Sequence, residues 1–345
     1  TIIGATQPKT FGQWASVFWN AAKLLVDGED YPELLVLELA ADQPGDLEHL
    51  TSFIRPDISV QTNVRNVHRE AYGNLEQIVE EQSWLARRAK ADGTVVLNYD
   101  DPKTRGMQSV TPARKFFYGF EPEAGIRVTD VKQSPRGQKA TLHFRRGAGA
   151  EQTVPLETVL LGRHQLYAIM AAFGAALAAD VDPEQAIESI KHVAPPPGRM
   201  RVFQGKDRLT ILDDSYNASP QATLAALETL YHLRRPYRAV LGDMKELGPT
   251  SREGHLMVGE VAGKFLDELV VVGDEALLIA EAAKNAGMKT TRIHIASDAT
   301  EAAKLVNQDG KGGTVLVKGS RAMHLERTVA PLLADPRDAK QLVKH

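Results

Sequence analysis

From Leu209 onward, short aliphatic and β-branched runs alternate with stretches in which apolar residues fall three and four positions apart. The runs Leu209 to Leu212, Arg238 to Leu241, Leu269 to Val272, Arg292 to Ile295 and Thr314 to Val317 read as strands, and Gln221 to His232 and Val258 to Phe265 as helices between them. Near-continuous apolar strands joined by amphipathic helices predict a parallel sheet covered on both faces. Each strand ends in small or polar residues: Asp213-Asp214, Gly242-Asp243, Gly273-Asp274, Ser297-Asp298 and Lys318-Gly319-Ser320. In an open α/β sheet these carboxyl ends line the ligand crevice.

The first half alternates as well, with expected strands in LLVLEL (34–39), DISVQTN (57–63) and TVVLN (94–98) and a helix over 164–178. Between Ile126 and Val154 the pattern becomes strictly alternating around the turns SPRGQ and RRGAGAEQ, which predicts a small antiparallel insertion. The run APPPGRM, 194–200, interrupts helix and strand alike and is the expected domain boundary and hinge. The expectation is thus an α/β chain of two domains, 1–197 and 198–345, in line with a prior of about 150 residues per domain.

Composition narrows the function classes. Hydrophobic residues make up 43% and charged residues 25%, and no run reaches the roughly 18 apolar residues of a membrane-spanning helix. The formal charge of −3 gives no basic field for nucleic acid, so phosphate chemistry would rest on local groups. The absence of cysteine excludes disulfides and thiolate metal sites and fits a cytoplasmic location.

One turn carries more polar groups than a turn needs. In DDSYNASP, 213–220, Ser219 supplies a helix N-cap and Pro220 a first-turn proline, which leaves Asp213, Asp214, Tyr216 and Asn217 without a structural task. Lys318 and Arg321 flank Gly319 and Ser320 at another strand end, as solvated cations or as contacts for an anion. Arg199 follows the proline hinge, where it can reach across an interdomain cleft or stay a surface charge. In LGDMKELG, Asp243 and Glu246 either steer a substrate ammonium or cap the next helix, and a tight Asp-Pro turn explains Asp100-Asp101 almost as well as a turn beside a nucleotide. Glu38 and His68 would reach one crevice as ligands for a hard cation such as Mg²⁺; a surface ion pair and a satisfied loop histidine are the alternatives.

Taken in order, LVLELAADQPGDLEHLTSFIRPDISVQTNV, LLGRHQLYAIMAA, DDSYNASP, LGDMKELG and VKGSR resemble the motifs of the ATP-dependent Mur ligases, over nearly all of the chain. The resemblance implies a P-loop-type central ATPase domain, incomplete in this chain and carrying the antiparallel insertion, and a Rossmann-like C-terminal domain. It implies ATP and Mg²⁺ as cofactors. The substrates implied are UDP-MurNAc-tripeptide and D-alanyl-D-alanine, joined through an acyl phosphate. By the same resemblance Arg199, Lys318 and Asn217 are catalytic. His164, Gln165, Asp214, Asn217 and Arg199 meet the nucleotide; Glu38, His68 and Gln82 hold metal; Asp243, Ser320 and Arg321 contact substrate. A catalytically impaired binding or scaffold protein, or another amide ligase of the superfamily, is the alternative.

Two departures accompany the likeness. No glycine-rich loop ending in Gly-Lys-Thr or Gly-Lys-Ser is present; GATQPKT, 4–10, lacks the second glycine, and Pro8 removes a backbone donor. Aligning KTFGQWASVFWNAAKLL with the segment after that loop places the loop upstream of Thr1 and implies that the family's sugar-nucleotide domain is absent from this chain. Gln82 stands where the family has a carbamylated lysine, and its neutral amide offers one weak oxygen ligand.

Overall fold

The structure, a computed structural model, describes residues 10–27, 32–64, 72–145, 149–306 and 312–344. The chain forms two compact units, 1–40 and 41–345.

In the first unit the helix Phe11–Asp27 stacks Trp14 on Phe18 at 5.9 Å, and Phe11, Trp14, Phe18 and Trp19 are exposed. The expected strand at 34–39 does not form. Leu34 to Leu37 are exposed, and no strand pairs with them among the described residues. Its apolar pattern alone could not make it a strand, because an extended segment is stable only when a ladder partner satisfies its backbone.

The second unit contains two six-stranded sheets. The first runs in chain order: β1 (Ile58–Gln61), β2 (Thr94–Asn98), β3 (Arg114–Gly119), β4 (Ile126–Ser134), β5 (Gly137–Phe144) and β6 (Gln152–Thr158). Its first four strands pair in parallel and β4 to β6 are antiparallel, so the expected insertion is an extension of the sheet itself. Alternation sorts β2 between two cores. Val96 packs with Leu166, Met170 and Phe173 of the helix Arg163–Ala178, whereas Val95 and Leu97 pack with Ile78 and Ala86 of the helix Leu75–Arg87. Gly174 permits the close approach of the first helix, since a Cβ there would lie 2.8 Å from Val96 Cγ1.

The second sheet has β7 (Arg201–Gln204), β8 (Thr210–Asp214), β9 (Tyr237–Gly242), β10 (Glu268–Val272), β11 (Ile293–Ala296) and β12 (Thr314–Lys318), ordered β11-β10-β9-β12-β8-β7. All pairs are parallel except β7 with β8. From β8 to β11 the chain advances with the helices Pro220–Tyr231, Ser251–Phe265 and Leu277–Asn285 on one face. The helix Ala299–Val306 then returns it along the other face. That reversal seats β12 between β8 and β9, which brings the KGSR turn between the DDSYN and LGDMK turns.

At the opposite end of this sheet Arg238 and Glu268 form a buried ion pair of 3.1 Å, and Arg238 also donates to Gly312 O at 2.8 Å. Removing one partner leaves the other charge buried. We expect Arg238→Ala to destabilise the fold by about 3–5 kcal/mol in denaturant titrations. A loss below about 1 kcal/mol would contradict this role.

Candidate functional site

The crest of the second sheet is organised around Asp214, the last residue of β8. Its register partner on β12 is Lys318, so the two side chains leave neighbouring backbone positions. Lys318 Nζ donates to Asp214 Oδ2 at 2.5 Å and to Asn217 O at 3.0 Å, and Asp214 Oδ1 accepts the Met200 amide at 3.0 Å. One carboxylate thereby joins the hinge segment, β8 and β12. Lys318 is only 2% exposed, which corrects its reading as a solvated cation: the residue after an all-apolar run lies inside the crest. Its catalytic assignment would have to act through this frame.

Arg199 and Tyr216 remain at the surface. Gly198, at φ 66°, accepts the Tyr216 amide at 3.0 Å, and a Cβ on it would sit 2.9 Å from that nitrogen. Arg199 is thus presented with its guanidinium 4.3 Å above the Tyr216 ring. Asn217 is exposed, and its Oδ1 accepts the Ala218 amide at 2.8 Å. Ser219 caps the helix Pro220–Tyr231 through Ala222 N, as its sequence position implied.

Asp213 faces inward. Ser215 Oγ and the Ser215 amide both donate to its Oδ1, at 2.5 and 3.2 Å, while its buried Oδ2 has no hydrogen-bond partner among the described residues. Burial pushes its carboxyl up to about 6. The Ser215 bonds oppose that shift, and the charges of Asp214 and Glu326 add to it.

The residues expected to meet substrate are tied to one another. Asp243 is buried: its Oδ1 accepts the Ala276 amide at 2.7 Å, and its Oδ2 accepts Lys245 Nζ at 2.8 Å. Gly273, at φ 111°, makes room for it, since a Cβ there would fall 2.4 Å from Asp243 Oδ1. The carboxylate thus holds the start of the helix Leu277–Asn285, and does not cap Ser251–Phe265, the helix that follows it in the chain. Ser320 is buried between the same turns, its amide donating to Asp243 O at 3.0 Å and its hydroxyl accepting the Lys245 amide at 2.8 Å. Arg321 donates to Glu326 at 3.1 Å and to Lys344 O at 2.9 Å. His255 escaped the sequence reading. Buried in the helix Ser251–Phe265, it accepts the Met244 amide on Nε2 at 3.0 Å and sits with Nδ1 2.8 Å from Ser251 O, which requires the neutral Nδ1–H tautomer. A lone histidine amid apolar helix positions was its only signal.

In the first sheet His164 and Gln165 stand half-buried at the start of the helix Arg163–Ala178. Asp100 accepts Tyr167 Oη and the Phe120 amide, each at 2.7 Å, and Asp101 accepts the Val64 amide at 2.7 Å and caps Pro102–Gly106, so this pair serves the turn. Gln82 is half-buried, and its carbonyl accepts Gln61 Nε2 at 3.3 Å. Its neighbour Glu81 caps the helix Asp46–Phe53 through the Gly45 and Leu47 amides, at 2.7 and 2.6 Å. Glu38 is exposed in the first unit, and His68 lies outside the described residues.

Comparison with known proteins adds a family. The sequence profile of the Mur ligase middle domain matches residues 19–176, and that of the Mur ligase glutamate ligase domain matches 198–321. Among curated relatives, the UDP-N-acetylmuramoyl-tripeptide–D-alanyl-D-alanine ligases of Bacillus subtilis and Mycobacterium tuberculosis are 28% and 30% identical over 88% of this chain. The chain spans 65% and 63% of their respective lengths. The crystal structure of MurF from Thermotoga maritima in complex with ADP superposes with a TM-score of 0.72 at 31% identity, covering 86% of this chain and 66% of that one. MurF from Acinetobacter baumannii, at 22% identity and a TM-score of 0.77, covers 92% and 68% and shares the fold.

The raised Asp213 carboxyl sets a pH dependence. A group whose folded pKa lies above its unfolded value of 3.8 contributes stability that is fully present below pH 3.8 and lost as pH rises through about 6. Asp213→Asn lacks this component. Between pH 7.5 and pH 4 the stability difference from wild type should shift by about 2 kcal/mol in the wild type's favour. A difference that stays constant across that window, measured by urea midpoints, would rule out the buried, partnerless carboxylate.

Proposed function

Because the chain belongs to the Mur ligase family, we propose that it serves a cytoplasmic ATP-dependent ligase that joins D-alanyl-D-alanine to UDP-MurNAc-tripeptide, with domains 1–197 and 198–345 facing the reaction. The observation that carries this reading is the crest, where Arg199 and Asn217 are exposed on a frame fixed by the buried Asp214–Lys318 pair.

In the reaction, the tripeptide's terminal carboxylate attacks the γ-phosphate of ATP to give an acyl phosphate, and the dipeptide amine displaces phosphate to form the amide. The groups of this chain act on charge and position. Arg199, pre-oriented over Tyr216, offers a planar donor fork to phosphoryl oxygens as negative charge develops on them. Asn217, tethered through its backbone to Lys318, offers amide hydrogens to the nucleotide or the incoming nucleophile. Asp214 holds the turn. With both of its oxygens engaged, a ribose would have to share them. His164 and Gln165, at a helix start, meet the base. Ser320 and Arg321 supply the edge of the dipeptide site, and Asp243 shapes it through Lys245. Of the expected metal donors, Gln82 offers one neutral carbonyl oxygen and would hold Mg²⁺ only weakly; that ion would supply charge neutralisation at the phosphates.

Intact natural protein should form ADP and phosphate only when both UDP-MurNAc-tripeptide and D-alanyl-D-alanine are present. Arg199→Ala should lower kcat by about 10²–10³ and change stability by no more than about 1 kcal/mol, the worth of an exposed cation–π contact. Muropeptide binding without any ATP turnover would replace the ligase with a binding module. An unchanged kcat in the variant would remove Arg199 from the mechanism.

A further inference from the structure

A seam joins the two sheets at a point remote in sequence from the proline hinge. Leu161, just beyond β6, is fully buried in the core of the second sheet with Met200, Leu212, Leu227 and Leu230. Gly162 follows at φ 94°, and a Cβ on it would fall 2.5 Å from Thr229 Oγ1. Gln133, near the end of β4, completes the contact. Its Nε2 donates to Thr229 O at 2.9 Å and its Oε1 accepts the Gly162 amide at 3.1 Å.

The two bonded groups are helix termini. Thr229 O is among the last four carbonyls of the helix Pro220–Tyr231, which have no partner inside that helix. Gly162 immediately precedes the helix that begins with Arg163, His164 and Gln165. One side-chain amide therefore ties the end of the helix that starts at DDSYNASP to the start of the helix that carries the nucleotide-base segment. Gln138, from the same hairpin, steadies that start by donating to Leu160 O at 2.9 Å and Gly162 O at 3.2 Å.

We propose that Gln133 is a positioning residue that sets the angle between the two domains, so that His164 and Gln165 on one side and the crest on the other meet a nucleotide in a single geometry. The nucleotide half of this proposal rests on the ATP-binding reading above. Together with the chain connection at 194–200, the seam supplies a second fixed point, and two fixed points leave rotation about one axis only.

The chain has no cysteine, so Glu123→Cys and Lys289→Cys, one exposed site on each domain, can carry spin labels without background. In the intact natural protein, with any cysteine outside this chain replaced by serine, the distance distribution between the labels should be narrow with Gln133 present. It should be at least twice as wide in both Gln133→Ala and Gln133→Glu. The glutamate keeps an acceptor for Gly162 N and loses only the donor to Thr229 O, so it isolates the bond between domains. ADP affinity, measured by calorimetry, should fall about fivefold in each variant, the worth of one net hydrogen bond. Broadening in the alanine variant alone would reduce Gln133 to a local loop contact and overturn the proposal, as would unchanged widths in both. Broadening without loss of ADP affinity would overturn the positioning role. If wild type binds no ADP the ATP-binding reading fails, whereas the widths still decide the seam.

Discussion

A lysine ammonium held inside a protein is stable only where its charge is met, and Lys318 meets it in Asp214, at 2.5 Å, and in the carbonyl of Asn217. The pair follows from register: β8 and β12 are parallel neighbours, and Asp214 and Lys318 end them at matched positions. Since Asp214 also accepts the Met200 amide, the hinge segment cannot drift from the crest without exposing a buried acceptor. The direction of Arg199 and the shape of the DDSYN turn depend on that node.

Charge at the crest is divided by burial. The buried groups Asp214, Asp243, Lys318 and Ser320 bond one another or the backbone and fix the three turns, and Asp213 bonds Ser215 through one oxygen. The exposed groups, Arg199, Tyr216 and Asn217, are those a ligand can reach. This division explains why one short turn holds so many polar residues. Half of them build the frame and half use it.

Much of the second sheet was legible because β8, β9, β10 and β12, buried throughout, read as largely aliphatic runs, and the more exposed β11 keeps two isoleucines. Four of the expected strands coincide with observed ones to within a residue or two, and the fifth begins at Ile293 where Arg292 was expected. The edge strand β7 and the strand β3 escaped notice. RVFQ and RKFFYG mix charge with aromatics and carry neither a clean alternation nor an apolar run. LLVLEL failed in the opposite sense, with a strong pattern and no partner strand among the described residues. At the candidate site, sequence could not tell an inward carboxylate from an outward one. Asp213 and Asp243 are buried by backbone geometry at Ser215 and Gly273, and only three-dimensional placement shows it.

If Asp214 is the node that holds hinge and crest together, hydrogen exchange at single amides reads it directly. The Met200 and Tyr216 amides should be protected in the wild type and lose that protection in Asp214→Ala, while the amides of β9 and β10 exchange as before. A Met200 amide that exchanges at the rate of an open loop in the wild type, or that keeps its protection in the variant, would contradict the account.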